Sequence, residues 1–194
     1  MVVPPMLKNM FRASALDSDF YDMVEHDPSL NREVVFVVFF ANTFAAVGSW
    51  IGIGEVAGFE MWETLRDWLG IGTWSAPNEG GFVFLVATNV ALALIGWMVW
   101  AASTGYIGTR FFGGTSDFGE MMRVLGYAQS PRAIAIVPWL GPVASVWTLV
   151  ASVVAIRQGQ DFTTGKAVAA GIGGWLVWFL LQFGASAAGA VLFG

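Results

Sequence analysis

Long apolar runs without an interrupting charge alternate along the chain with shorter stretches whose apolar residues recur every three or four positions. The runs lie at about 34–54, 81–106, 132–157 and 167–193. At about 1.5 Å per residue, Val34–Gly54 covers roughly 30 Å, the thickness of a hydrocarbon core, so the runs predict membrane-spanning helices. The third run is broken at 138–142, where Pro138-Trp139-Leu140-Gly141-Pro142 removes two backbone donors and crowds the preceding turn. The intervening stretches read as short amphipathic helices at the membrane surface. Leu16, Phe20, Tyr21 and Val24 form one apolar face near the N-terminus, before Asp27-Pro28-Ser29 interrupts the helix. Phe59, Trp62, Leu65, Trp68 and Leu69 form another within the acidic excursion Glu55–Gly80, and Phe118, Met121, Met122, Leu125 and Tyr127 a third. The pattern therefore predicts an all-α, polytopic membrane bundle of four to five transmembrane segments with interfacial helices. Residues 1–32 form an N-terminal segment and 33–194 the membrane domain. Met1–Ser14 carries Lys8 and Arg12 without a long apolar run behind them, unlike a signal peptide.

Charge placement decides how the broken run is threaded. Lysine and arginine concentrate in cytoplasmic loops. If 132–157 crosses once, six cations lie inside and three outside. If it is a hairpin, eight lie inside and only Arg66 outside. The hairpin fits better, with a cytoplasmic N-terminus and an outward C-terminus. Arg110, Arg123, Arg132 and Arg157 then mark the cytoplasmic interface, within reach of lipid phosphates.

Composition narrows the chemistry. Charged residues make up 12 % of the chain and hydrophobic residues 56 %, against about 25 % charged in a soluble domain. The net charge of -5 supplies no basic stripe for nucleic acid. There is no cysteine, so thiolate metal sites, iron–sulfur clusters and cysteine nucleophiles are out of reach. The single histidine, His26, lies among Asp22, Glu25 and Asp27 and reads as a solvated helix end. With no Asp, Glu, Lys, Arg or His inside the predicted spans, the third being bounded by Arg132 and Arg157, proton relays, a retinal Schiff base and histidine-ligated haem or pigment find no anchor. Pigment or lipid can then only touch the apolar faces. No serine-hydrolase elbow or P-loop is present. We read no catalytic, cofactor-ligating or metal-ligating residue.

The spans instead contain small residues and isolated amides. Gly48 and Gly52 share one small-x3-small spacing, and Gly171, Gly174 and Gly189 belong to others in the last run. Such spacing lets helix backbones approach closely, either within one chain or against a partner. Asn42, Asn89 and Gln182 are the polar intramembrane residues. Asn42 and Asn89 read as hydrogen-bonding partners between helices, or less readily as contacts for a substrate.

Particular residues carry a family resemblance. Ile107-Gly108-Thr109-Arg110-Phe111-Phe112-Gly113-Gly114, Asp117-Phe118, Arg123-Val124-Leu125-Gly126-Tyr127-Ala128 and Pro131 resemble the Yip1-domain membrane proteins. So do Ile136-x-Pro138-x-Leu140-Gly141 and Ala155-Ile156-Arg157-Gln158 with Asp161-Phe162-Thr163-Thr164. Phe20-Tyr21-x3-Glu25-x-Asp27-Pro28-Ser29 is similar to the bacterial branch. The resemblance implies a bundle of about five spans, an inward N-terminus and an outward C-terminus. Eukaryotic members act in vesicle traffic with prenylated GTPases, whereas for bacterial members it implies a fold and little biochemistry. The expected role is a non-catalytic scaffold or accessory subunit contacting lipids and other integral membrane proteins, as in a respiratory or photosynthetic energy-transducing complex. A neutral-solute or lipid transporter, using the broken segment, is one alternative. An adaptor recruiting a soluble partner through the N-terminal helix and Arg110–Arg132 is another.

Overall fold

The computed structural model describes residues 5–52 and 81–193. Among them every regular element is helical. Two short helices, α1 (Pro5–Ser14) and α2 (Ser18–His26), precede the long α3 (Asn31–Gly52). Then follow α4 (Gly81–Ile107), α5 (Phe118–Tyr127), α6 (Gly141–Gly159) and α7 (Thr164–Phe193). Among the described residues three stretches are long and apolar enough to cross a membrane: Pro28–Ile51, Gly81–Phe112 and Thr164–Leu181. The acidic excursion Glu55–Gly80 lies outside the described residues.

Local signals explain the helix boundaries. Asp17 caps α2 by accepting from the Phe20 amide at 3.0 Å, and its other oxygen takes Arg12 Nε at 2.7 Å. Asp117 and Glu120 open α5 with reciprocal side-chain-to-backbone bonds, a capping box. Between α1 and α2 the chain reverses through Leu16 at φ +60°, with the Leu16 and Asp17 amides returning to the Ala13 and Arg12 carbonyls. That is the Schellman closure of a helix, here with leucine where glycine is usual. Pro28 interrupts the path as expected, but the interruption is a single 3-10 turn, Pro28–Leu30, feeding directly into α3.

The broken third run is a re-entrant pair of arms. The first arm is α5 followed by a 3-10 stretch at Ser130–Ile136. The chain then turns through a second short 3-10 segment, Pro138–Leu140, and returns as α6. At one end Gly159 lies against Val124 and Met121. At the other, Ala135 and Ile136 lie against Gly48, well along α3. The two arms are therefore antiparallel, and Arg157 returns to the end from which α5 departs. Each arm spans about 28–30 Å, because seven 3-10 residues at about 2 Å add to the ten α-helical ones.

The packed interior sits toward the end where α3 and α7 begin and α4 and α6 finish. Phe20, Tyr21 and Val24 of α2 share one buried core with Val34, Val37 and Val38 of α3, Met121, Leu125 and Tyr127 of α5, and Ala151, Ala155 and Ile156 of α6. The apolar face of α2 is thus packed into the core of the bundle. The reason is shape. Phe20 fits edge-on against Tyr127 with ring centroids 5.1 Å apart, and both rings are buried.

The small residues of the last run are used within the chain. Trp100 Nε1 donates to the Gly171 carbonyl at 3.1 Å and Ser103 Oγ to the Gly174 carbonyl at 3.2 Å. Gly171 meets Ile156, and Gly174 meets Thr104. The α4–α7 seam therefore closes on exposed carbonyls that only a side-chain-free position leaves accessible. Gly52, Gln182 and Gly189 lie on α3 and α7, but their side-chain surroundings fall outside the described residues.

Candidate functional site

Most residues that carry the family resemblance converge at the packed end of the bundle, whereas Ile136, Pro138, Leu140 and Gly141 form the distant turn between the arms. Arg123 lies on α5 and is 5 % exposed. Its Nε donates to the Val24 carbonyl at 2.9 Å, one terminal nitrogen to the Glu25 carbonyl, and the other to Asn31 Oδ1 at 3.0 Å. The guanidinium therefore binds two carbonyls at the C-terminus of α2, of which Val24 also takes the Asp27 amide at 3.4 Å, and a positive charge there is also favoured by the helix dipole. Arg123 is expected at the lipid interface from sequence. The structure makes it a buried clamp, with each guanidinium nitrogen engaged by a protein oxygen.

A second tie lies beside it. Tyr127 Oη donates to Glu33 Oε1 at 2.6 Å, and Asn9 Nδ2 donates to the same oxygen at 2.8 Å. Burial first, and then the Glu33 carboxylate, push the Tyr127 phenol above its ordinary range. It stays protonated and keeps donating. Trp147 Nε1 on α6 donates to the Ser14 carbonyl at 2.7 Å, and Arg157 to Ser18 Oγ at 3.2 Å. Both N-terminal helices are thus held by side chains from α5 and α6.

Glu25 carries a titratable consequence. It is 6 % exposed, and burial pushes its carboxyl up to about 7, with Glu120, Asp161 and Asp22 adding repulsion and His26 opposing it. An acid whose folded pKa is raised binds more protons folded than unfolded, so stability falls as pH rises from about 4.5 to about 7. His26 is also raised, chiefly by its bond to the Asp22 carbonyl, and loses its contribution in the same direction. We expect the melting temperature in detergent to fall across this window, with His26 extending the fall above pH 6.5. Glu25→Gln should flatten most of the slope.

The glycines of the motif make room for one amide. Gln160 is 1 % exposed and is bound by Nε2 to the Thr104 carbonyl at 3.4 Å. A Cβ on Gly108 or Gly114 would occupy the space of its side-chain amide. Gly114→Ala is expected to destabilise the fold by about 2 kcal/mol through overpacking. In a Gln160→Ala background the cost should fall by more than half, a coupling that a double-mutant cycle of melting curves reads directly. Gly113, at φ +75°, closes the π-helical turn Gly108–Phe112 by returning its amide to the Gly108 carbonyl.

The remaining sequence-predicted residues are distributed as follows. Arg110 is exposed on that π turn. Arg157 is half-buried on the last turn of α6. Arg132 departs from the expected interface. It lies on the first arm between Gly126, packed on Val34, and Ala135, packed on Gly48. It is half-buried, and its Nε has no hydrogen-bond partner among the described residues. The arm begins at Phe118, so its fifteenth residue has already descended into the bundle. Among the described residues Asn42 and Asn89 do not bond between helices: each donates to the carbonyl four residues back on its own helix, Val38 at 2.8 Å and Leu85 at 2.9 Å. An i−4 carbonyl is always within reach in a helix, so a short amide needs no neighbouring span. Gly141 and Pro142 form the first turn of α6, where a missing amide hydrogen costs nothing, and Pro138 starts the short 3-10 segment. Sequence reasoning missed the Tyr127–Glu33–Asn9 tie. It joins positions 24 and 94 residues apart, for which no local pattern exists.

Between α3 and α4 lies an open apolar recess of about 460 Å³, lined by Phe39, Thr43, Val83, Val86, Ala87 and Val90 among others. Asp22, Glu25 and His26 bring ligand atoms within 4.8 Å of one another on α2. Such a cluster at one helix end is common without an ion.

A family model described as Yip1 domain matches residues 14–186. No curated protein and no solved structure matches.

Proposed function

The chain belongs to the Yip1-domain family and is an integral membrane protein; from that premise we propose that it is a non-catalytic scaffold or accessory subunit whose spans pack against a partner membrane protein. The open recess between α3 and α4 carries this reading. It is apolar apart from Thr43, whose hydroxyl already bonds the Phe39 carbonyl at 2.8 Å. A surface of that kind fits another apolar helix and offers nothing to orient a polar solute. The self-satisfied Asn42 and Asn89 weigh in the same direction, since a transport route needs polar groups free to exchange partners.

The test is purification of the chain from its native membrane in mild detergent, followed by mass spectrometry. A membrane protein at fixed stoichiometry is expected, and respiratory or photosynthetic subunits would identify an energy-transducing host. Ala87→Trp, which fills the recess, should release the partner while leaving the chain inserted. Recovery of the chain alone overturns the proposal. In the same reading the packed end faces the cytoplasm, because Arg12, Arg110, Arg123, Arg157 and Lys166 belong to the helices and turns gathered there. The absence of cysteine makes that checkable: Gly165→Cys, an open position, should react with an impermeant maleimide only after the cells are opened.

A further inference from the structure

Asp22, Glu25 and His26 differ from an ordinary solvated helix end in one respect: Glu25 is buried without a partner. The three stand at i, i+3 and i+4, so they share one face of α2. A ligand atom of each lies within 4.8 Å of the others. Asp22 and His26 are exposed, whereas Glu25 is only 6 % exposed. Among the described residues no cation pairs with the Glu25 carboxylate. The Arg123 bond at this residue goes to the backbone carbonyl instead. A buried carboxylate in that state is costly, and a cation beside it relieves the cost. Its oxygens are not sealed in, and they face the side on which Asp22 and His26 stand.

The field at this point is negative. Asp22 on the same helix, Glu120 on α5 and Asp161 beyond α6 all repel the Glu25 charge, and His26 alone acts the other way. Arg123 approaches the same helix end, but its guanidinium lies on the Val24 and Glu25 carbonyls and on Asn31 Oδ1. Acids from three separate elements therefore favour a cation here.

The donor set selects the cation. One imidazole nitrogen with two carboxylates suits zinc, whereas magnesium and calcium take all-oxygen shells. His26 Nδ1 donates to the Asp22 carbonyl at 3.0 Å. That bond leaves the Nε2 lone pair for a metal, the way ligating histidines are commonly held. Ligands sharing one zinc at about 2.1 Å stand about 3.5 Å apart. The exposed Asp22 and His26 side chains supply the remaining closure by changing rotamer. We propose that Asp22, Glu25 and His26 bind a zinc ion, with water completing the shell, at the end of α2 beside the Arg123 clamp. The site lies apart from the recess between α3 and α4, so either can fail alone.

The chain has one histidine and no cysteine, so side-chain nitrogen ligation by imidazole is confined to His26. The test is calorimetric titration of the untagged full chain in detergent with zinc chloride, and separately with magnesium chloride. One zinc per chain is expected, bound more than about tenfold tighter than magnesium and raising the melting temperature. Asp22→Asn, Glu25→Gln and His26→Gln should each weaken zinc about tenfold or more. Cobalt(II) in place of zinc should give a visible absorption band that His26→Gln shifts. Absence of zinc binding, or equal binding of magnesium, overturns the proposal. Loss of binding in His26→Gln alone, with Asp22→Asn and Glu25→Gln unaffected, marks an adventitious ion on a surface imidazole and also overturns it. If Glu25→Gln does not fold, the exposed pair Asp22→Asn and His26→Gln decides, and undiminished binding in either overturns the site.

Discussion

Replacing Gly48 with alanine is expected to lower stability by roughly 3 kcal/mol, and with leucine to prevent the bundle from closing. A Cβ at this position would fall on the Ala135 carbonyl and on Ile136 Cα. Both are backbone atoms of the re-entrant arm, so no rotamer change relieves the clash. Either α3 or the arm must retreat. The retreat would separate the surfaces that carry Val37 and Val38 from their packed neighbours. Size-exclusion profiles after a heating series in detergent would read the effect. Gly165→Ala, at a position where nothing lies within 4 Å of the added carbon, is the neutral comparison. A Gly48→Ala variant as stable as wild type would mean that α3 and the arm are not in contact at this level.

Arg123→Ala should cost roughly 3–5 kcal/mol and release the N-terminal helices before the spans unfold. The substitution leaves the Glu25 carbonyl without its side-chain donor, leaves the Val24 carbonyl with only the Asp27 amide at 3.4 Å, and frees Asn31 Oδ1 to water. It also removes the positive charge at the end of α2. Limited proteolysis should then cut between 14 and 31 in the variant and not in the wild type. Arg123→Lys restores charge but not the three-directional fork, and should recover less than half of the loss. Trp147→Phe provides a graded comparison, since it removes only the bond to the Ser14 carbonyl. Unchanged protease resistance in Arg123→Ala would show that apolar contacts at Phe20, Tyr21 and Val24 suffice to hold α2.

These two residues illustrate different degrees of legibility. Gly48 is visible in sequence as one half of a small-x3-small spacing, so its role in close packing is expected. Its actual neighbour, a 3-10 arm rather than another α-helix, is not. Arg123 is visible only as a cation beside the membrane. Interface arginines and buried ones have the same local sequence. The difference lies in whether an open helix end happens to stand opposite, and Val24 is 99 residues away. The acidic box Asp117–Glu120 is readable as a cap because both partners lie within one turn.

The sequence by itself determined the all-α membrane class and the family, and it placed long apolar runs where the described residues form three helices long enough to cross a membrane. These follow from hydropathy and from local motif residues, both of which act over one or two helical turns. Only the tertiary structure decided that the N-terminal amphipathic face is core, that Asn42 and Asn89 bond within their own helices, and that Arg132 descends into the bundle. Each of those outcomes depends on which surface lies opposite a side chain. An apolar face is buried equally well by lipid or by protein, and a cation is satisfied equally well by phosphate or by a carbonyl. The choice between them is made by contacts between elements distant in the chain, which hydropathy does not encode.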